Sequence, residues 1–466
     1  MKKIAGAGLW LALAAPMAVM ADTPSEIADL RQQIEAMRAS YEARLQALEQ
    51  RLKAAEAQAP AQAATPSPAP AVSTAPPAPA VPQAAAASAA GAFGAFNPAI
   101  SLILSGLYTH TSRDPSTYAI GGFPLPPDAE IGPGTRGFSL AESELGFAAS
   151  IDPWFRGAAS VALAPDNSVS VEEAYVATTA LGNGLSLKAG RFFSNIGYLN
   201  PQHAHTWDFV DNPLAYQAML GTQYGDDGVQ LTWLAPTDRL LQFGLELGRG
   251  RTFPGGDNSR NGAGMVSLSA HTGDDWGDSH SWRAGLSFLR TQADDQALAL
   301  TDALGNSASG SFSGDTTVWI VDGVWKWAPN GNATRTNFKL QGEYVLSTRD
   351  GALVYDPAGI ASSGQYRVRQ SGWYVQGVYQ FMPRWRVGLR TERLDPGSPD
   401  YGSNAGLIAT TDYRPRKNSL MFDFNPSEFS RVRLQFAQDR AREAGTDNQL
   451  FLQYQMSLGA HGAHSY

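Results

Sequence analysis

Sixteen stretches between residues 100 and 458 alternate apolar with polar side chains, and that alternation constrains the fold more than any other feature. Successive side chains of a strand point to opposite faces, so a period of two marks a strand with two unlike surroundings. The runs fall near 100–110, 137–151, 155–164, 168–179, 185–193, 226–235, 240–250, 264–273, 281–291, 314–328, 335–348, 366–381, 385–395, 414–425, 429–439 and 449–458. Their number is even, and most are near the roughly 9–11 residues that a tilted strand needs to cross a bilayer. The faces are lopsided. Leu450, Leu452, Tyr454, Met456 and Leu458 oppose Gln453, Gln455 and Ser457; Trp385, Val387 and Leu389 oppose Arg384, Arg386 and Arg390; Val432, Leu434 and Phe436 oppose Arg431, Arg433 and Gln435. Charges lining the inside of a barrel require water there, whereas a water-soluble barrel would turn its apolar face inward. The pattern predicts an all-β fold: a 16-stranded antiparallel transmembrane β-barrel over residues 93–466, with a water-filled interior.

The connections support this reading. Tight turns at 152–153, 181–184, 236–239, 330–332, 382–383 and 425–428 are interleaved with long polar stretches at 111–136, 194–225, 292–313, 349–365 and 396–413. Residues 165–167 make an early exception. Short turns on the periplasmic side and long loops outside produce such an alternation.

Three segments precede the barrel. Lys2 and Lys3, an apolar run over 4–20 and Ala21 have the form of a signal peptide (1–21), so the chain is expected to be exported. Over 22–58 the apolar positions Ile27, Leu30, Ile34, Met37, Tyr41, Leu45, Leu48, Leu52 and Ala55 step by threes and fours, with one stutter at Tyr41–Leu45. One stripe on a lone helix is marginal in water, so this is expected to be an oligomerising periplasmic coiled coil. Residues 59–92 are an Ala/Pro-rich linker, with eight prolines between Pro60 and Pro82 and nothing with which to build a core.

Composition removes several alternatives. With no cysteine, neither disulfides nor thiol catalysis is available. A formal net charge of −8 on an exported chain argues against nucleic acid as a partner. Forty-seven glycines and sixteen tyrosines suit a large β protein with many turns and interfacial aromatics. After residue 92 there are only four lysines (Lys188, Lys326, Lys339 and Lys417), so phosphate selectivity is not expected; the acidic balance predicts a weak cation preference. No GxSxG element stands on a strand-to-helix turn, and an enzyme is not expected.

With these features in place, the chain resembles bacterial outer-membrane porins of the sixteen-stranded trimeric type, some of which carry an N-terminal coiled coil. The resemblance implies an outer-membrane location among lipid, a homo-oligomer (a trimer), and passive diffusion of small hydrophilic solutes or ions. It further implies that the third outer loop folds into the barrel as a constriction, and here that loop is 194–225. The segments FNPAISLILSG (96–106), LKAGRFFSNIGYLNPQHAHTWDFVD (187–211) and FLQYQMSLGAHGAH (451–464) are also similar to a proteobacterial outer-membrane family labelled zinc-regulated TonB-dependent receptors. Energised transport would need a plug domain and about twenty-two strands, for which the chain is too short. What that resemblance implies is an association with zinc.

The loop carries the densest chemistry. His203 and His205 share a face in extended chain, and Asp208 follows closely, so the three are candidate ligands for a transient zinc ion. His461 and His464 form a second candidate pair; no resident cofactor is expected. For a constriction the candidates are His203, His205, Asp208 and Asp211 on the loop with Glu142, Glu144, Arg386, Arg390, Arg431 and Arg433 on the wall. Asp208 and Asp211 opposed to those arginines would set a transverse field across the water. Two alternatives stand beside diffusion: a divalent-metal uptake channel or receptor using His203 and His205, and a structural barrel tethered by its coiled coil.

Overall fold

The computed structural model describes residues 98–256 and 261–459. The expected signal peptide, coiled coil and linker, and the pair His461 and His464, lie outside the described residues. Within them the alternating runs become strands β1 (Ala99–Thr111), β2 (Gly137–Leu140), β3 (Ser143–Ser150), β4 (Phe155–Leu163), β5 (Val169–Thr178), β6 (Leu185–Phe193), β7 (Gly225–Leu234), β8 (Leu240–Gly248) and β9 (Met265–Trp276). The circuit continues through β10 (His280–Thr301), β11 (Ser307–Trp327), β12 (Asn337–Tyr355), β13 (Ser362–Met382), β14 (Trp385–Asp395), β15 (Arg416–Ser427), β16 (Ser430–Arg440) and β17 (Asp447–Gly459). Apart from the β2/β3 break, each strand pairs antiparallel with the next, and β1 pairs with β17, so the sheet closes. β2 and β3 both lie against β1, as two parts of one interrupted strand, which gives the closed antiparallel barrel sixteen wall positions. That is fewer than the roughly twenty-two strands of an energised receptor's barrel.

Alternation sorts the faces as the sequence implies. Trp233, Phe243, Leu268, Trp319, Tyr344, Leu389, Phe436 and Leu452 stand exposed on the outside. Gln341, Glu343, Gln376, Arg390, Arg433, Gln435 and Gln453 are buried on the opposite face. Among the described residues no helix is long and apolar enough to cross a membrane.

Two departures from expectation matter. The stretches 292–313 and 349–365, read as loops, are mostly strand: β10 turns into β11 at 302–306, and β12 into β13 at 356–361. Small and polar residues there had suggested a loop, but the alternation persists through Leu298 and Leu300. These two pack with Phe312, Leu353, Tyr366, Tyr401 and Ile408 in a separate apolar cluster that includes the 396–415 connection.

The second departure is in the lumen. Residues 194–224 and 118–131 lie inside it and share one apolar core with the wall. Ile196, Leu214, Tyr216, Met219 and Leu220 from the inserted loop meet Ile120 and Phe123 and the wall residues Leu289, Val318, Ile320, Val345 and Tyr374. At about 1.5–3 kcal/mol for each fully buried side chain, this holds the loop in place. The interior on that side is a packed core rather than open water. Its centre is a short helix, α1 (Leu214–Leu220), entered from Pro213 and ended by Gly221 at φ 63°, the left-handed cap that glycine adopts without a Cβ penalty.

Candidate pore constriction

Two β-bulges build the acidic side of the lumen. Along β1, Gly106 faces Leu140 but Ile103 faces Glu144, so one extra residue is inserted between β2 and β3. The Ala141 N–H still reaches the Ser105 carbonyl, and the Ser143 hydroxyl accepts from the Ser105 N–H, which patches the ladder across the gap. On β5, Glu173 faces Ser160 while Val171 faces Val161, leaving Glu172 as the extra residue. A bulge re-aims side chains. Adjacent residues Glu172 and Glu173 would otherwise point to opposite faces, yet both reach the same histidine.

That histidine is His203. Its Nδ1 lies 3.3 Å from Glu144 Oε2 and 3.3 Å from Glu172 Oε2, and its Nε2 lies 3.1 Å from Glu173 Oε2. His205 Nδ1 is 2.8 Å from Glu144 Oε2, and the two imidazoles stack with centroids 5.7 Å apart. The Ser160 hydroxyl donates to Glu144 Oε1 at 2.5 Å, and Glu142 sits beside Glu172. Burial alone would push the His203 imidazole down; its hydrogen bonds to Glu144, Glu172 and Glu173 outweigh this and hold its pKa well above the ordinary value. A cavity of about 160 Å³ opens against Ser101, Glu144, Ser160, Glu173 and His203.

The other flank of the loop is fixed by cations. Asp208 pairs with Lys339 at 2.5 Å and Arg386 at 3.3 Å; Asp211 pairs with Arg390 at 2.8 Å and Lys417 at 2.6 Å. Burial pushes both carboxyls up, but the neighbouring cations prevail: Lys339 and Arg386 hold Asp208, and Arg390 and Lys417 hold Asp211, below the usual carboxylate range. Behind them Asp423 on β15 binds Arg386 at 2.5 Å and Arg433 at 2.8 Å. Arg433 also donates to the Trp207 carbonyl at 3.0 Å, and Arg431 to the His205 carbonyl at 2.9 Å. Backbone amides complete the seat: Val210 N–H donates to Gln435 and Leu214 N–H to Glu392.

The expected residues thus separate into two groups. His203, His205, Glu142 and Glu144 come together. Asp208 and Asp211 do not join them: they are in direct ion pairs on the far flank, with Arg386 and Arg390, so they clamp the loop instead of facing the arginines across water. Asp208 is therefore not the third partner of the histidines; Glu144 is. The acidic counterpart to the arginine flank is the four-glutamate arc. Sequence reasoning missed Glu172 and Glu173, because period-two reading admits only one of two adjacent residues to the lumen; an acidic pair inside VSVEEAYV was the available signal. It also missed Glu343 on β12, which accepts from the Tyr198 and Leu199 amides and from the Tyr216 and Tyr374 hydroxyls.

No family model matches the chain. Among solved structures it is similar to in-vitro folded OmpT, an outer membrane protein of Vibrio cholerae (TM-score 0.47, 11% identity, 78% of this chain and 97% of that one). It is also similar to the outer membrane channel DcaP of Acinetobacter baumannii (TM-score 0.46, 13% identity, 78% and 97%). A third is the anion-selective porin from Comamonas acidovorans (TM-score 0.44, 11% identity, 78% and 99%). In sequence, a relative from Aquifex aeolicus (strain VF5), described only as an uncharacterized protein, is 30% identical over 348 residues, 71% of this chain and 70% of its own length. The chain belongs to the same family as that Aquifex aeolicus protein.

Proposed function

We propose that the protein is an outer-membrane diffusion channel of porin type, non-enzymatic, in which the 194–224 loop divides the lumen and leaves solutes to pass along the glutamate arc. The observation that carries this reading is the loop's two-sided seat, cation-clamped on one flank and facing carboxylates on the other. A bilayer location follows from the exposed apolar outer face around a polar interior, a distribution that favours lipid outside and water within. Small hydrophilic solutes and ions are the solute class. Most cations of the opposite flank are paired: Lys339 with Asp208, Arg386 and Arg433 with Asp423, Arg390 with Asp211 and Glu392, and Lys417 with Asp211 and Asp439. The arc, by contrast, sets four glutamates against two histidines, so cations are favoured along it.

We further propose three copies per assembly. The wall over β3–β6 is low, with strands of 8 to 10 residues against 19 to 22 in β10–β13, and Ala149, Ala159 and Ala174, on the outer face with Phe147, keep much of it small-faced. Planar-bilayer recording of the full chain tests both statements. Conductance in groups of three equal steps, with a reversal potential of the cation-selective sign, is the expected result. Absence of any conductance would sink the channel, and single equal steps would sink the trimer.

A further inference from the structure

The loop histidines and the bulge carboxylates are spaced as a coordination sphere. Atoms about 2.0–2.2 Å from a tetrahedrally bound zinc ion stand roughly 3.3 Å from one another. Glu144 Oε2 and Glu172 Oε2 each lie 3.3 Å from His203 Nδ1, and His205 Nδ1 lies 2.8 Å from Glu144 Oε2. One donor atom from each of Glu144, His203 and His205 falls within 4.8 Å of the other two. The far nitrogen of His203, Nε2, is backed by Glu173 Oε2 at 3.1 Å, the carboxylate contact that orients a metal-binding imidazole. His205 and Glu144 are buried, so the donors are held in place, while the adjoining 160 Å³ cavity gives access from the lumen. Two imidazoles with carboxylates suit zinc and the late first-row divalent ions; calcium and magnesium favour all-oxygen shells.

We propose that Glu144, His203 and His205 form a divalent transition-metal site, with Glu172 within reach as fourth ligand, which ties the inserted loop to the barrel wall. The ion displaces the protons now shared between imidazole and carboxylate, and pins the flank of the loop that the cation clamp leaves to hydrogen bonds. The site stands independently of solute passage, because binding is measured without conductance.

Calorimetric titration of the chelator-stripped, detergent-solubilised full chain with zinc is the test. Wild type is expected to bind one ion at this site. Glu144→Gln, and His203→Gln with His205→Gln, are expected to weaken binding by more than the roughly 10–100-fold that loss of an outer partner costs. Equal affinity in these variants overturns the proposal, as does binding that instead follows His461→Gln with His464→Gln. Should the variants fail to fold, X-ray absorption on zinc-loaded wild type decides: two imidazoles plus oxygen supports the site, and an all-oxygen shell overturns it. Conductance without zinc binding would sink this site and leave the channel standing; zinc binding without conductance would do the reverse.

Discussion

Asp211 carries two of the four ion pairs made by the loop's aspartates. It accepts from Arg390, Lys417 and Gln435 in a buried setting, and Lys417 itself lies 3.2 Å from Asp439. Asp211→Asn leaves two buried cations short of a carboxylate, and breaking a buried pair in this way costs about 3–5 kcal/mol. The expected outcome is a lower thermal transition by circular dichroism, with more frequent closing events in single-channel traces. The same pairs fix a pH dependence. Asp208 and Asp211 are held below the ordinary aspartate value of about 3.9. Their folded pKa values are thus depressed, so their contribution is complete above that value and is lost only as pH falls through the folded ones. Closing events in wild type are expected to stay rare down to about pH 4 and to rise below it; a rise beginning above pH 5 would contradict the clamp.

At the scale of elements, the loop depends on one glycine. Gly197 has φ 65°, its N–H donates to the Ser287 hydroxyl, and a Cβ there would meet the Glu343 carboxylate and the Tyr216 hydroxyl. Gly197→Val adds about 1–2 kcal/mol of left-handed backbone cost to that collision. It is expected to leave the barrel folded but the loop unseated, read as larger and noisier conductance; an unaltered trace would show that the loop tolerates the shift. The strands were legible because alternation is local: each run from Ile100 to Leu458 carries its own two-faced record. The loop's apolar anchors were legible as residues in need of burial, but not their destination, since Leu214 and Tyr216 meet wall positions far away in the chain. The glutamate arc was half legible: Glu142 and Glu144 share a parity, whereas Glu172 enters only through a register shift that depends on β4. The upper hairpins were misread because small polar residues at 301–311 mask an alternation whose apolar half, Leu298, Leu300 and Phe312, finds its partners on other strands.

Over the whole molecule, charge is distributed across the lumen by neutralisation more than by count. Arginines and lysines are concentrated on β12–β16, but most of those touching the loop are spent on aspartates, while the arc on β2–β5 keeps more carboxylates than imidazoles. Selectivity should therefore follow the arc. Glu172→Gln with Glu173→Gln is expected to move the reversal potential in a salt gradient toward anions, while Asp423→Asn, behind the clamp, moves it less; the opposite ranking would place the passage on the cationic flank.

The loop leaves the wall between β6 and β7, yet much of its seat is supplied much later in the chain. Glu343 lies 144 residues beyond Leu199, and Gln455, which donates to the His205 carbonyl, lies 250 residues beyond His205. Contacts so distant in sequence form late, after the intervening chain has been ordered. A half-assembled barrel would hold the loop without much of its seat, and the last strands to join complete both the wall and the seat. Sealing of the cylinder and narrowing of its bore are then one event in biogenesis, so a barrel arrested before its final hairpin would be a wide leak rather than a narrow one.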